Sequence, residues 1–219
     1  MPATNTASPA ASARTSREAL LDAALEVVRS KGYAATTVDD LCAAAGVTKG
    51  SFFHHFAGKE EMVLAAVAHW NRVTGDAFAH AAYQRRKDPR DRVLGYIDFR
   101  KGLLHGEAAT FSCLLGTLVQ ETYASHPRLR AACEAGIAAH AQTVERELAA
   151  AKALHAKGAR WDPKVLALYT QAALQGAFVL AKATGSTAVA ADCIDHLRQH
   201  VAHLLGATAR PGRRKETPA

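Results

Sequence analysis

The segment that most constrains the fold is residues 36–59, TTVDDLCAAAGVTKGSFFHHFAGK, in which two short helical patterns are separated by three residues. Thr37 and Asp40 have the spacing of a capping box, which predicts the start of a helix. Apolar residues follow at helical spacing up to Gly46, where a glycine with positive φ can end the helix. Thr48 then caps a second helix. The pattern predicts a helix-turn-helix.

The outward face of the second helix carries the residues that suit contact with DNA. Phe52 and Phe56 share its inward face, so the remaining side chains lie on or near the outward one. A helix N-terminus favours phosphate, and a long cation can reach guanine O6 and N7 in the major groove. The sequence therefore predicts a DNA-binding surface. Its candidate residues on that face are Lys49, Gly50, Ser51, Phe53, His54 and His55.

Composition predicts an all-α fold, with an N-terminal three-helix helix-turn-helix head and a C-terminal helical body. The chain has 219 residues and 49% hydrophobic content, which is enough to bury a core. Alanine is abundant and strand-like alternation is almost absent. The predicted division is a disordered arm at 1–13, a DNA-binding head at 14–60, a helical body at 61–205, and a basic disordered tail at 206–219.

Helix signals divide the chain further. Thr15 and Glu18 have capping-box spacing, and Gly32 predicts the end of that first helix. A fourth helix begins at Lys59 and leads out of the head. Further helices are predicted at about 89–105, 112–124, 127–154, 162–184 and 188–205.

Charge does not locate the DNA-binding surface. The formal net charge is +7, which favours a polyanionic partner. Basic and acidic side chains balance within residues 1–60, and the excess lies in 85–101 and 210–215. We therefore expect bulk charge to add only non-specific attraction to DNA, while the helix-turn-helix pattern supports specific recognition.

The sequence predicts a cytoplasmic protein without membrane contact. Residues 1–13 have no charged or apolar region of the kind that secretion signals contain. The longest apolar stretch, residues 165–181, is interrupted by polar side chains and is interpreted as a buried helix. The cysteines at 42, 113, 133 and 193 form no CxxC pair, so reduced thiols are expected.

The last two predicted helices have the pattern of a dimer interface. Small residues allow close helix approach in the first, and apolar residues repeat at 3-4-3 spacing in the second. Periodicity alone gives equal weight to a simpler interpretation, in which the small residues of the first helix and the apolar residues of the second close the core of one subunit. DNA binding favours the dimer, because two-fold partners read two half-sites. The candidate interface residues are Ala173, Gly176, Ala177, Ala181, Ile194, Leu197, Val201 and Leu204.

The head resembles the tetracycline-repressor-like (TetR) family of transcriptional regulators. The residues that carry the resemblance are Gly32, Tyr33, Thr36, Thr37, Val38, Ala45, Gly46, Val47, Thr48, Lys49, Gly50, Ser51, Phe52, Phe53, His54, His55, Phe56, Lys59 and Glu60. The resemblance implies a homodimeric repressor on a palindromic double-stranded operator, released by a small molecule or an electrophile. It also implies that Thr37 holds a phosphate, that Thr48 belongs to the DNA-binding surface, and that His55 and Lys59 contact the DNA backbone. By the same resemblance, the body at 61–205 binds the ligand and forms the dimer. Phe53 stands where the family most often has tyrosine, so an apolar contact replaces a hydrogen bond there.

The body is expected to hold the effector. The candidate lining residues are Phe99, Leu103, Phe111, Cys113, Tyr123, His140, Tyr169 and Phe178, although each alone is more typical of a plain core. Thr110 and Ser112 are expected to cap a helix with Cys113 in its first turn, where the dipole would stabilise a thiolate. The alternative is that Cys113 is a small buried hydrophobe.

Other functions have weaker support. No GxSxG, HExxH, P-loop or GxGxxG sequence is present, so no catalytic residues and no cofactor are expected. Cys193, His196, His200 and His203 have spacing that could gather a metal, but they flank the apolar seam and are interpreted as solvated. General nucleic-acid binding without sequence preference and activation instead of repression remain as alternatives.

Overall fold

The computed structural model describes residues 14–207, and within that range the secondary structure is helical, without a strand. The all-α prediction is confirmed. The helices are α1 Ser16–Lys31, α2 Val38–Ala45, α3 Lys49–His55, α4 Lys59–His80, α5 Pro89–Gly102, α6 Ala108–Phe111, α7 Leu114–Thr122, α8 Pro127–His155, α9 Pro163–Thr184 and α10 Thr187–Leu204, with a 3₁₀ turn at Ala82–Arg85. The predicted arm at 1–13 and residues 208–219 of the predicted tail lie outside the described residues.

The head is built as its capping signals predict. Thr15 and Glu18 form a reciprocal capping box at the start of α1, and Thr37 and Asp40 form another at α2. Gly46 ends α2 in the left-handed conformation, with φ 67°. Thr48 caps α3 by accepting a hydrogen bond from the Ser51 amide. Local chemistry therefore sets where these three helices begin and where α2 ends.

The head and body share one core. Leu20, Leu41, Phe52 and Met62 are fully buried in the head, and the same cluster continues into Leu118 of α7 and into α8. Helix α4 contributes to both parts, since its first half packs in this cluster and its second half lies along the body. The predicted domain boundary after residue 60 falls within the first turn of α4.

A second cluster joins α5, α8, α9 and α10 in the body. Helix α9 is long and apolar enough to cross a membrane, with mean hydropathy 1.2, but 44% of that window is buried inside the protein. Because α9 packs against α8 and α10, it is a core helix, and the prediction that it does not span a membrane is supported.

Two predicted helix boundaries between α5 and α7 differ from those in the structure. The helix expected over 89–105 ends at Gly102, and the helix expected over 112–124 begins at Leu114 after the short α6. Cys113 is the N-cap residue of α7, so it lies just outside the first turn. Thr110 does not cap α7, because its hydroxyl donates to the carbonyl oxygen of His105 and, at 2.7 Å, to that of Glu107.

Candidate DNA interface and effector cavity

The two sides of helix α3 differ in burial. Phe52 and Phe56 are buried beneath it, as predicted. On the opposite side Phe53 is 56% exposed. His54 is exposed and its ring lies 4.9 Å from that of His55. The outward face therefore offers an apolar group and imidazoles that could contact a partner.

Lys49 is the first residue of α3 and its ammonium lies 2.7 Å from the carboxylate of Asp39. The hydrogen bond with Asp39 raises the pKa of Lys49. Both side chains are mostly exposed, and an exposed pair of this kind contributes little to stability. Asp39 can therefore release Lys49 when a stronger acceptor, such as a guanine edge, is present.

Gly50 lies on the exposed side of α3, where the fold itself does not require a glycine. A Cβ at this position would find Thr48 Oγ1 at 3.7 Å, which is an ordinary contact. Its φ is not among the positive glycine values of the described residues. The missing side chain thus leaves the α3 backbone open to close approach from outside.

Thr37 caps α2 through its hydroxyl group, and its contact with a phosphate stays a prediction. Its hydroxyl donates to the Asp40 carboxylate at 2.9 Å and accepts from the Asp40 amide at 3.1 Å. Hydrogen bonds from Lys31 and Thr37 lower the pKa of Asp40 to about 2. The carboxylates of Asp39 and Asp40 already complement the helix dipole, so a phosphate gains less there than the sequence prediction supposed.

The expected role of Lys59 as a DNA-backbone contact is not favoured by its position. Its ammonium donates to the carbonyl oxygens of Tyr33 at 3.0 Å and Thr36 at 2.9 Å. It also lies 4.3 Å from the centroid of the buried Tyr33 ring. Lys59 therefore ties the α1–α2 loop to the start of α4, a structural role that the sequence pattern did not indicate.

A cavity of about 150 Å³ lies between α4, α5, α6, α7, α8 and α9. Four predicted effector residues line it: Leu103, Phe111, Cys113 and His140. Cys113 also lines a neighbouring pocket of about 210 Å³, where Phe178 and Lys182 are found. Burial, and then Arg29, lower the pKa of Lys182.

Three predicted effector residues lie elsewhere. Tyr123 is 61% exposed and Tyr169 is 48% exposed, so the prediction that they line the cavity is wrong. Both side chains point away from the core: Tyr123 follows the end of α7, and Tyr169 lies on the outer face of α9 beside His200. Phe99 packs against Phe78 and Tyr83 beside the cavity.

Several cavity residues were missed by sequence reasoning. The most polar are Asn71, Arg100, Gln171 and Gln175, and Trp70 contributes an apolar wall. A polar residue on a predicted helix is normally assigned to the solvent side, and this assumption hid them. A signal was available in Gln171 and Gln175, which interrupt the most apolar helix of the chain.

His140 is a neutral imidazole in a hydrogen-bonded chain. Burial, and then the nearby Arg100, lower the pKa of His140 to about 4. The Gln171 amide donates to the Tyr96 hydroxyl at 3.0 Å, and that hydroxyl lies 2.9 Å from His140 Nε2. With its oxygen accepting from Gln171, Tyr96 can donate to the unprotonated Nε2.

Two contacts join the cavity region to the DNA-binding head. The guanidinium of Arg29 in α1 donates to the Thr110 carbonyl at 3.1 Å and lies 5.0 Å from the centroid of the Trp70 ring, and both residues line the cavity. Near the C-terminal end of α7, the carboxylate of Glu121 accepts a hydrogen bond from the Ala34 amide at 3.0 Å. Helix α7 therefore runs from Cys113 at the cavity to the α1–α2 loop.

The predicted dimer seam is wrong for most of its residues, because they close the core of one chain. Ala177, Ala181, Ile194, Leu197 and Val201 are all at most 3% exposed. Ala173 and Leu204 are half-buried against the same core, and only Gly176 is exposed. The simpler interpretation left open by the periodicity is therefore the correct one for the five buried positions, and an interface role for the other three stays a prediction.

The opposite face of α9 is apolar and exposed. Val165, Leu168, Tyr169, Val179 and Leu180 are 64%, 47%, 48%, 46% and 45% exposed, respectively. Their spacing places them along one stripe of the helix, which we call the outer stripe. Such a contiguous apolar surface is typical of a protein–protein interface.

The cysteine and histidines beside the apolar seam of α10 are not grouped as a metal site. Within residues 14–207, no group of three or more His, Cys, Asp or Glu side chains is placed to hold an ion. His196, His200 and His203 are exposed, and His200 packs edge-on against Tyr169.

A capped helix-turn-helix with an exposed second helix, carried on a helical body, defines the class of DNA-binding transcription regulators. The chain matches the family described as bacterial regulatory proteins, tetR family, over residues 20–66. Residues 89–196 match the LmrA/YxaF-like C-terminal domain of transcriptional regulators. The chain belongs to the TetR family of transcriptional regulators, as its sequence resemblance implied.

Known relatives agree with this assignment. The transcriptional regulator AcuR of Cereibacter sphaeroides is 27% identical over 170 residues, which cover 78% of each chain. The transcriptional repressor KstR2 of Rhodococcus jostii is 31% identical over 124 residues, covering 49% of this chain and 61% of the relative. The crystal structure of a regulatory protein TetR from Rhodobacter sphaeroides superposes with a TM-score of 0.76 at 25% identity, covering 84% of this chain and 98% of that one.

Proposed function

We propose that this regulator is a cytoplasmic homodimeric repressor that binds a palindromic operator and is released by a small molecule in the body cavity. The observation that carries the proposal is the connection between the two sites. Arg29 and Glu121 tie the DNA-binding head to the helices that line the cavity. We assign no catalytic residue and no cofactor to it.

At the operator, α3 is the recognition helix in this proposal. Lys49 leaves Asp39 and reads a guanine edge, while the open backbone at Gly50 lets the helix approach the groove closely. Phe53 supplies an apolar contact to a thymine methyl group. The hydroxyls of Thr48 and Ser51 and the imidazoles of His54 and His55 contact neighbouring phosphates or base edges in this proposal.

The outer stripe of α9 is the best candidate for the homodimer contact. It is apolar and is not covered by other described residues of the chain. Pairing of two copies about a two-fold axis would bury the same stripe on both and place two recognition helices on two half-sites.

Release requires that the effector bind one arrangement of the head better than the other. A molecule that enters the cavity contacts Thr110 and Trp70, which are the residues that Arg29 holds. Displacing them would move α1 relative to the body. The same change would be passed through α7 to Ala34, at the start of the loop that leads into α2.

The test is selection of bound sequences from a random DNA pool, followed by competition of the selected palindrome against random DNA. A specific regulator prefers the palindrome, and Lys49→Ala relaxes the preference at one base pair per half-site by roughly tenfold to hundredfold. Lys87→Ala, an exposed change in the body, is the control. Equal affinity of the unaltered protein for all sequences, with a steep salt dependence, would instead support general nucleic-acid binding.

Cys113 supports an electrophile as one form of the effector, because its side chain borders both pockets. Its thiol can add across the double bond of a maleimide, forming a sulfur–carbon bond while the proton passes to the neighbouring carbon. Maleimide treatment should then release the unaltered protein from DNA. Release of Cys113→Ser at the same dose would rule out this covalent route.

A further inference from the structure

The effector cavity contains an arginine, Arg100, for which residues 14–207 supply no counter-ion. Arg100 of α5 lines the cavity, and no described residue forms an ion pair with it. Its Nε is buried and has no hydrogen-bond partner among residues 14–207. A buried donor without a partner is costly, and the half-buried guanidinium of Arg100 is open to an acceptor in the cavity. Among the described residues, the site therefore lacks a hydrogen-bond acceptor for Arg100, and an anion would supply one.

The surroundings hold this guanidinium in place and do not neutralise it. Its central carbon lies 5.5 Å from the Phe78 ring centroid and 5.3 Å from that of Phe178, so aromatic rings pack on it. His140, which also lines the cavity, is neutral because burial lowers its pKa to about 4. None of the described residues that line the cavity carries a carboxylate.

The rest of the lining limits the size and polarity of the occupant. Trp70, Phe78, Phe111 and Ile137 are apolar, and Gln175 offers an amide at the side. A cavity of about 150 Å³ accommodates a molecule of about the size of benzene. A guanidinium binds a carboxylate with a geometry that gives short, charge-assisted hydrogen bonds.

We propose that the cavity binds a small monocarboxylate with an apolar body, whose carboxylate pairs with Arg100 while its apolar part lies among the aromatic side chains. This inference rests on the proposed function only in naming the cavity as the effector site. It adds the chemical class of the effector and the residue that selects it. Neutral molecules of the same size and shape leave the guanidinium unpaired and bind more weakly.

The experiment is titration calorimetry of the full chain, free of DNA, with benzoate and with benzamide. The two probes have nearly the same shape, but only benzoate is an anion at pH 7. We expect benzoate to bind at least tenfold more tightly than benzamide. Equal affinities, or binding of neither probe, would overturn the inference, and this comparison needs no altered protein.

Arg100→Gln assigns the selectivity to this residue. The substitution should weaken benzoate binding by roughly tenfold to hundredfold and change benzamide binding little. Arg130→Gln, an exposed arginine on α8, is the matched control and should retain the preference for benzoate. A preference for benzoate that survives in a folded Arg100→Gln protein, as judged by circular dichroism, would contradict the assignment.

The outcome is separable from that of the proposed function. Calorimetry without DNA reports on the cavity alone, whereas sequence selection and competition report on the head. Equal binding of the two probes would reject the carboxylate class and leave the DNA-binding role supported by its own test. Benzoate selectivity in a chain that does not bind DNA would retain this inference and reject the repressor.

Discussion

The carboxylate of Glu121 occupies the space in which a side chain at Gly32 would lie. Glu121 accepts from the Ala34 amide at 3.0 Å, and a Cβ at residue 32 would overlap with its carboxylate atoms. Gly32 also has φ 83° and ψ 168°, a conformation that is essentially restricted to glycine. The end of α1 and the end of α7 are therefore fitted together at one residue pair.

This relationship predicts a measurable coupling. Gly32→Ala should lower the free energy of unfolding by about 1 to 3 kcal/mol through backbone strain alone, and further through displacement of Glu121. In the Glu121→Ala background, Gly32→Ala should lower the free energy of unfolding by a smaller amount, and the two losses should differ by about 0.5 to 3 kcal/mol. Chemical denaturation of the four proteins in this cycle measures the difference.

Gly46 provides the control for this cycle. It also has positive φ, at 67°, but a Cβ there would meet nothing within 4 Å. Gly46→Ala should therefore be destabilising by strain, and its cost should be the same with and without Glu121. Equal coupling of both glycines to Glu121 would mean that the overlap at Gly32 has no energetic consequence.

Gly50→Ala should separate stability from DNA binding. The substitution adds a helix-favouring residue where space exists, so the protein should be as stable as before or more stable by up to about 1 kcal/mol. Binding to the selected operator should fall, because the methyl group keeps α3 away from the DNA. Thermal melting and fluorescence anisotropy measure the two effects.

Gly75→Ala is the matched control for Gly50, since it adds a methyl group to an exposed position within α4 that likewise has open space around it. It should raise stability by a similar amount without loss of operator affinity. Undiminished operator binding by Gly50→Ala would show that close backbone approach is not needed.

Lys59→Met should destabilise the head. The substitution removes two hydrogen bonds from a charged donor and a contact with the Tyr33 ring, so we expect a loss of about 1 to 3 kcal/mol in unfolding free energy. Lys87→Met, in an exposed stretch, should change stability by less than about 0.5 kcal/mol. Unchanged stability of Lys59→Met, with loss of DNA affinity, would restore the phosphate role.

His140 should make the protein less stable in acid. Burial lowers its pKa in the folded state to about 4, whereas an unfolded histidine titrates near 6.5, so the unfolded chain binds the proton more readily. The contribution of neutral His140 to the free energy of unfolding is complete above about pH 6.5 and is lost as the pH falls towards 4. The full difference corresponds to about 3 kcal/mol.

His140→Gln tests this pH dependence. The variant removes the titrating group, so the slope of unfolding free energy between pH 6.5 and 4 should decrease relative to the unaltered protein. Urea denaturation at several pH values measures the slope. An identical slope in both proteins would assign the acid sensitivity to other groups.

Leu168→Glu should produce a folded monomer. Leu168 is 47% exposed in the outer stripe, so the charge is tolerated by one chain but opposes burial between two. Light scattering measures the mass. Leu197→Glu places the same charge at a position that is 3% exposed and should unfold the body instead. A dimer that persists in Leu168→Glu would require another interface.

The sequence predicted those parts of the structure that depend on local chemistry. The capping pairs Thr15–Glu18 and Thr37–Asp40 and the stop at Gly46 are contained within a few residues, and all three are found as predicted. Phe52 and Phe56 were also placed correctly, because the polarity of α3 differs strongly between its two sides.

The remaining features depend on contacts between distant elements. Helix α9 is apolar on both faces, so periodicity could not tell which face meets α10 in the same chain and which is left outside. Arg100 looks like a solvent-facing residue until the structure places Phe78 and Phe178 against it. Lys59 was assigned to DNA by resemblance, whereas its carbonyl partners lie 23 and 26 residues away.

The outer stripe of α9 also bears on how sharply a target gene could respond. Pairing through this stripe would make the amount of the DNA-binding species follow the square of the concentration of chains wherever the dimer is largely dissociated. Operator occupancy would then drop about fourfold, at low occupancy, when the copy number is halved. A cell could thus convert a modest dilution of the regulator into a much larger change in transcription.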